Sequence, residues 1–153
     1  NMSIFDLNQN LLASYPHKKS KFCNELEKNN NVIKSDLVNY DTDDYPDFAF
    51  DVCNHMSKEE DIAILICGNG IGISIAANKV KGIRCARVVS NDDSYAAKTH
   101  NHANAISLAA DLEPTKALEI VNTFLHATPS IEDRHVRRVN KIISYENGEY
   151  NEV

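Results

Sequence analysis

The sequence predicts an α/β domain in which a parallel sheet carries helices on both faces, and two observations support this prediction. The first is an apolar run rich in β-branched residues, Ile62–Ile66, which stops shortly before Gly68. A strand without polar alternation is typical of a parallel sheet that is buried on both faces. The second is the alternation of strand and helix patterns along the chain, which favours βαβ units.

Four weaker strand patterns bring the predicted sheet to five strands. They cover residues 11–14, 32–38, 83–89 and 105–109. Helix patterns lie between and after the strands, at residues 18–29, from Pro46 onward, after the glycine-rich segment, from Pro114 onward, and at about 133–143. Proline suits a first helical turn. The length favours one domain over residues 1–153, with residues 145–153 as a loose polar tail.

Composition excludes several classes of function. The chain has 153 residues, of which 42% are hydrophobic and 25% charged, and a net charge of -6. Nucleic acids require a basic surface, so we expect no nucleic-acid partner. No apolar run reaches the length of a membrane span, so we expect no membrane partner. The four cysteines form no C-x-x-C pair, which is typical of reduced thiols and favours a cytoplasmic protein.

A glycine-rich segment, residues 67–74, directly follows the central strand and is the main candidate site. In open α/β sheets, ligands bind beyond the carboxyl ends of the strands, where glycines let backbone N–H groups approach an anion. The spacing is G-x-G-x-G, with Ile73 at the third glycine position of the dinucleotide motif, so a nucleotide site is a weak alternative. A tight turn without a ligand is the other alternative.

Cys67 precedes these backbone donors. A cysteine beside a helix N-terminus can be present as a thiolate near neutral pH, and a thiolate serves as a base or a nucleophile. The alternative is a buried, inert thiol. We apply that alternative to Cys23, Cys53 and Cys85.

Arg134 and Arg138 are spaced i and i+4, so they share one helix face. Two guanidinium groups suit a phosphate dianion, although a solvated basic face is the usual meaning of such a run. His100 and His102 by themselves are more typical of surface histidines than of catalysts. A metal site that uses them lacks a recognised ligand spacing, so we expect no metal.

Taken together, these motifs resemble the ribose-5-phosphate isomerase B family. The central match is residues 64–79 followed by Gly82-Ile83-Arg84, and three further segments agree in order and spacing between about residues 40 and 143. These segments are Asp44-Tyr45-Pro46, His100-Asn101 with Asn104, and Arg134-His135-x-x-Arg138. The resemblance implies a Rossmann-like αβα fold with a five-stranded parallel sheet and a C-terminal helix.

The resemblance also implies an activity and an assembly. The activity is the interconversion of ribose 5-phosphate and ribulose 5-phosphate through an enediolate, in the non-oxidative pentose phosphate pathway. It needs no metal or cofactor. The assembly is a homodimer or a dimer of dimers with active sites at the subunit interface. The galactose-6-phosphate isomerase subunits are related proteins with the same fold.

The resemblance assigns roles residue by residue. Cys67 matches the catalytic base, His100 matches the residue that opens the furanose ring, and Asn69 occupies a catalytic position beside the reacting sugar. Oxyanion and substrate binding fall to Gly68, Gly70, Ile71, Gly72, Ser74 and Asn101. Phosphate binding falls to Arg134 and Arg138, and His17 takes part of the role of a missing family motif.

That missing motif is an Asp-His pair after the first strand, where this chain has Tyr15-Pro16-His17. Asn69 also replaces a common threonine, and Ala110-Asp111 replaces a Gly-Arg segment. These departures keep two alternatives open. One is a non-catalytic or partner-dependent subunit that binds a sugar phosphate, and the other is an isomerase of a six-carbon sugar phosphate.

Overall fold

The computed structural model describes residues 44–151 with their side chains, together with the backbone of three strands nearer the N-terminus. The strands are β1 (Met2–Asp6), β2 (Asn10–Ser14), β3 (Asn31–Ser35), β4 (Asp61–Cys67), β5 (Cys85–Arg87) and β6 (Ala105–Ala109). The helices are α1 (Tyr45–His55), α2 (Ile71–Ala77), α3 (Asn91–Thr99), α4 (Pro114–His126) and α5 (Asp133–Glu146). The predicted helix at residues 18–29, together with His17 and Cys23, lies outside the described residues.

The strands form one sheet in the order β1-β3-β2-β4-β6-β5. Neighbours from β3 to β5 are parallel, whereas β1 is antiparallel to its neighbour β3. The predicted α/β class with a parallel sheet is therefore confirmed. The described sheet has six strands where five were predicted, because the antiparallel β1 was not predicted.

The central strand β4 divides the core into two clusters because its side chains alternate between the faces of the sheet. Ile62, Ile64 and Ile66 pack with α3 and α4 on one face. Ala63, Leu65 and Cys67 pack with α1 and α2 on the other. Both faces are thus covered, which explains the unbroken apolar run from Ile62 to Ile66.

Helix α3 was missed by the sequence analysis because its composition is polar. Its N-terminus is nevertheless well marked, since Ser90 Oγ accepts a hydrogen bond from the Asp93 N–H group at 3.1 Å, and acidic residues occupy the first turn. Ser is a preferred N-cap residue, and carboxylates there are favoured by the helix dipole. Ser94 is fully buried and donates to the Ile120 carbonyl at 2.7 Å, which fixes α3 against α4.

Helix α5 extends to Glu146, three residues beyond its predicted end. Gly148, at φ +73°, lies in the left-handed region, and its N–H donates to the Tyr145 carbonyl, while the Glu149 N–H donates to the Ser144 carbonyl at 2.8 Å. This is a Schellman motif, in which glycine ends the helix and satisfies its last carbonyls.

Among the described residues, no helix combines the length and the apolar character that a membrane span requires.

Lys98 is an unusual core residue. It is 7% exposed; its Nζ donates to the Phe124 carbonyl at 3.3 Å and lies 4.4 Å from the centre of the Phe124 ring. Burial lowers the pKa of Lys98 from 10.5 to about 8. Since the folded state favours the neutral amine, the protonated amine reduces stability, fully below pH 8 and progressively less as the pH rises toward 10.5.

We therefore expect Lys98→Met to raise the free energy of unfolding at pH 7. The pKa difference corresponds to at most about 3 kcal/mol. Loss of the contacts with Phe124 should reduce the gain to about 1–2 kcal/mol. Urea unfolding at pH 7 and pH 10 checks this, since the gain should shrink at pH 10. The exposed Lys141→Met is the matched control, and an equal loss of stability at both pH values would contradict the argument.

Candidate active site

Cys67 is the last residue of β4 and is 5% exposed. It lies in register with Ala109 at the end of β6, and its carbonyl accepts from the Ala110 N–H at 2.9 Å. The backbone of Cys67 is thus held at the carboxyl edge of the sheet, where α/β folds bind ligands.

The loop after Cys67 is shaped by contacts with β6. Gly70 has φ +77°, and its carbonyl accepts from the buried Ser107 hydroxyl at 2.7 Å. Asn69 Oδ1 accepts from the Ile71 N–H at 3.0 Å, so the predicted catalytic residue Asn69 forms an Asx turn directly before α2, whose N-cap residue is Gly70. The N–H groups of Gly72 and Ile73 follow in the first turn, where a helix supplies no acceptors of its own.

Two residues that the sequence analysis did not place at the site support this loop. Arg87, the exposed last residue of β5, donates from Nε to the Asn69 carbonyl at 2.9 Å. Tyr45 lies against Gly72, since a Cβ atom at Gly72 would overlap the Tyr45 phenol ring. No sequence signal indicated Arg87, which lay inside the predicted strand 83–89, while Tyr45 belonged to a recognised segment.

Gly70→Ala is expected to destabilise the protein by about 2 kcal/mol and to lower turnover, because a left-handed conformation costs non-glycine residues about 1–2 kcal/mol. The added Cβ would also lie 2.9 Å from the Leu108 carbonyl carbon. Gly148→Ala is the matched control, with φ +73° and no atom within 4 Å of the new Cβ. Urea unfolding of both variants separates the conformational cost from the contact, and equal losses would show that the contact with Leu108 is unimportant.

Cys53 and Cys85 are the other cysteines among the described residues. Burial raises the pKa of both Cys53 and Cys85 to about 12. The hydroxyl groups of Ser74 and Ser107 hydrogen-bond the Cys85 thiol and only partly offset its burial. These two thiols therefore stay protonated at neutral pH, which agrees with the prediction that they are inert.

A second group of predicted site residues surrounds the start of α5. The rings of His100 and His135 stack with centroids 4.3 Å apart and planes within 3°. Arg134 donates from Nε to Glu132 Oε2 at 2.8 Å. Arg138 forms no ion pair with any carboxylate of the described residues, so its guanidinium group remains available.

His102 and Asn104 have structural roles. His102 donates from Nε2 to the Ser130 carbonyl at 2.8 Å, and its own carbonyl accepts two hydrogen bonds from the Arg84 guanidinium. Asn104 donates to the Gly82 carbonyl at 2.7 Å. Within residues 44–151, no group of three histidine, cysteine, aspartate or glutamate residues is arranged to hold a metal.

The predicted site therefore falls into two parts. The loop half comprises Cys67 and residues 68–74. The helix half comprises His100, Asn101, Arg134 and Arg138.

The two halves begin at different edges of the sheet. Cys67 pairs in register with Ala109, at the carboxyl end of β6. His100 instead comes five residues before Ala105, at the amino end of β6. At about 3.3 Å per residue, the length of β6 separates the two levels by about 13 Å.

The arrangement around Cys67 can be compared with known proteins. The model of the ribose/galactose isomerase family matches residues 14–142. The chain belongs to this family. A probable ribose-5-phosphate isomerase B from Mycoplasma genitalium is 40% identical over 133 residues, which cover 85% of this chain and 83% of that protein.

Solved structures of this isomerase family agree. Ribose-5-phosphate isomerase B from Clostridium thermocellum has a TM-score of 0.75 and 38% identity, with coverage of 84% of this chain and 88% of that one. The enzyme from Mycoplasma genitalium with bound ribulose 5-phosphate has a TM-score of 0.67 and 39% identity, with coverage of 75% and 76%. The predicted family and enzyme class, an isomerase, are confirmed.

Proposed function

We propose that this chain interconverts ribose 5-phosphate and ribulose 5-phosphate, with Cys67 as the base. The observation that carries the proposal is the position of Cys67 at the carboxyl end of β4, directly before a loop and helix start rich in backbone N–H groups. The relative from Mycoplasma genitalium, in which ribulose 5-phosphate is bound, supports this choice of substrate.

The proposed reaction begins with ring opening. His100 donates a proton to the ring oxygen as the C1–O4 bond breaks, and the O1 hydroxyl proton leaves to water as the C1 carbonyl forms. The Cys67 thiolate then removes the proton from C2, which gives an enediolate, and the resulting thiol returns a proton to C1. The O2 hydroxyl proton leaves and O1 gains one, so the aldose becomes the ketose without net loss of protons.

The charges that develop need donors. We assign the enediolate oxygen to the backbone N–H groups of the loop half, in an oxyanion role. Asn69 Nδ2 and Asn101 are assigned to sugar hydroxyls. Phosphate binding is assigned to Arg134, Arg138 and His17.

We propose that the complete site forms between two copies of the chain. In support, α5 has fourteen residues of which only His135 and Val139 are buried. Its side chains Ile142 and Tyr145 are 51% and 75% exposed, and such an apolar surface is typical of an interface. A homodimer, or a dimer of dimers, would bring the helix half of one copy to the loop half of the other.

The finer fold and location belong to the same proposal. The parallel strands β3, β2, β4, β6 and β5 would form the five-stranded core of a Rossmann-like αβα domain, with β1 as an addition. A cytoplasmic location in the non-oxidative pentose phosphate pathway is supported by the free thiols of Cys53, Cys67 and Cys85.

The test is to incubate the protein with ribose 5-phosphate in D₂O and follow the formation of ribulose 5-phosphate and the incorporation of deuterium by NMR. Turnover with deuterium at C1 is expected. Allose 6-phosphate and galactose 6-phosphate are measured in parallel. Turnover of either six-carbon sugar alone would move the proposal to that substrate, and binding without turnover of any sugar would indicate a non-catalytic subunit.

A further inference from the structure

The ring of His135 stacks on the ring of His100, a residue of the proposed site. His135 is the third residue of α5 and is 7% exposed, whereas His100, in the turn after α3, is exposed. The two rings are nearly parallel at 3°, with centroids 4.3 Å apart. The backbone N–H of His135 donates to the Glu132 carbonyl at 3.0 Å, so the His135 ring is carried by a hydrogen-bonded first turn of α5. His135 thus offers a buried flat surface to the exposed His100 ring.

The charged groups around His135 come from both elements that pack there. Glu132, Arg134 and Arg138 belong to α5 and its cap, and His100 belongs to the turn after α3. Burial, followed by the positive charges of His100, Arg134 and Arg138, lowers the pKa of His135, while Glu132 acts in the opposite direction. Glu132 Oε2 lies 3.9 Å from His135 Nε2 and is already bound by Arg134. The lowered pKa favours the neutral form of the His135 ring.

We propose that His135 is a positioning residue: it holds the plane of the His100 imidazole. The inference rests on the proposed function, in which His100 opens the sugar ring. A ring held in one plane presents its N–H in one direction, which is the condition for efficient proton transfer to the ring oxygen. No contact between His135 and the substrate is required.

The chemistry of the two substrates provides a selective test. Ribose 5-phosphate is mainly a furanose and must be opened, whereas ribulose 5-phosphate cannot form a furanose, because the oxygen on C5 carries the phosphate. Exchange of the C1 proton of ribulose 5-phosphate with D₂O therefore needs the base but no ring opening. Loss of His135 should slow turnover of ribose 5-phosphate and leave this exchange unchanged.

The experiment compares His135→Leu, which removes the flat ring, with His135→Phe, which keeps it without a proton. We expect His135→Leu to lower kcat for ribose 5-phosphate about tenfold, with KM and C1 exchange within twofold. This loss is smaller than the 10²–10⁴-fold contribution of acid–base catalysis, because the His100 side chain itself is kept. His135→Phe should restore kcat to within threefold. In NMR spectra, the ring-proton shifts of His100 should change in the leucine variant and largely return in the phenylalanine variant.

The possible outcomes separate this inference from the proposed function. If KM rises in both variants with kcat unchanged, His135 binds the phosphate itself and the inference is wrong. If kcat is unchanged in both, the stack has no role in ring opening. If the wild type shows neither turnover nor C1 exchange, the proposed function fails and the inference with it. A lower melting temperature with unaltered kcat would indicate a purely structural role.

Discussion

Cys67→Ala is expected to lower kcat for ribose 5-phosphate by about 10³-fold, because general bases typically contribute 10²–10⁴-fold. The variant keeps the loop N–H groups and the arginines, so substrate binding should change little and KM should stay within about threefold. Deuterium exchange at C1 of ribulose 5-phosphate should be lost to the same extent, since both reactions start with removal of a carbon-bound proton. Coupled assays and NMR measure the two quantities separately.

The matched control for this prediction is Cys85→Ala. Burial holds the pKa of Cys85 at about 12, so its thiol cannot serve as a base near neutral pH, and turnover should stay within about threefold of the wild type. Melting curves of both variants show whether the fold is retained. A Cys67→Ala chain that keeps more than a tenth of wild-type turnover would exclude Cys67 as the base.

The elements that were best predicted from the sequence are those whose buried positions are occupied by apolar residues. The apolar run at Ile62–Ile66 became β4, and the apolar stripe after Pro114 became α4, whose Ile120, Val121 and Phe124 are fully buried. Helix α3 was not predicted from the sequence, because three of its four buried residues are polar or charged: Ser94, Lys98 and Thr99. Their burial depends on hydrogen bonds to carbonyls of neighbouring residues, which no periodicity reveals.

The residues of the candidate site were predicted better than their arrangement. The glycine motif and the i, i+4 arginines were visible as local patterns. Arg87 and Ser107 were not, because each acts through a hydrogen bond to a backbone carbonyl of the loop half, at Asn69 and Gly70. Such contacts depend on the order of strands in the sheet, which local spacing does not contain.

The separation of Cys67 from His100 has a topological cause. Between two parallel strands the chain must return to the starting edge of the sheet, and α3 makes that return between β5 and β6. A residue just after α3 therefore lies at the amino edge, whereas Cys67 ends β4 at the carboxyl edge. If both act on one sugar, the second must come from another copy of the chain.

Two individually inactive variants should consequently restore activity to each other. In a mixed dimer of Cys67→Ala and His100→Gln chains, one site combines the intact loop half of the second chain with the intact helix half of the first. The other site carries both substitutions. We expect the mixed dimer, purified through two different affinity tags after co-expression, to show about half of the wild-type turnover, as one intact site of two in a symmetric dimer requires.

The control is a mixed dimer of His100→Gln and Arg138→Met chains. Both substitutions lie in the helix half, so each of the two sites carries one of them and no intact site can form. This dimer should show no more turnover than the two parent variants. Recovery in the first mixture and not in the second would locate the loop half and the helix half of each site on different chains. Failure of the first mixture, in a dimer shown to contain both tags, would mean that the two halves do not meet across this interface, and the assignment of His100 would then have to be abandoned while that of Cys67 could stand.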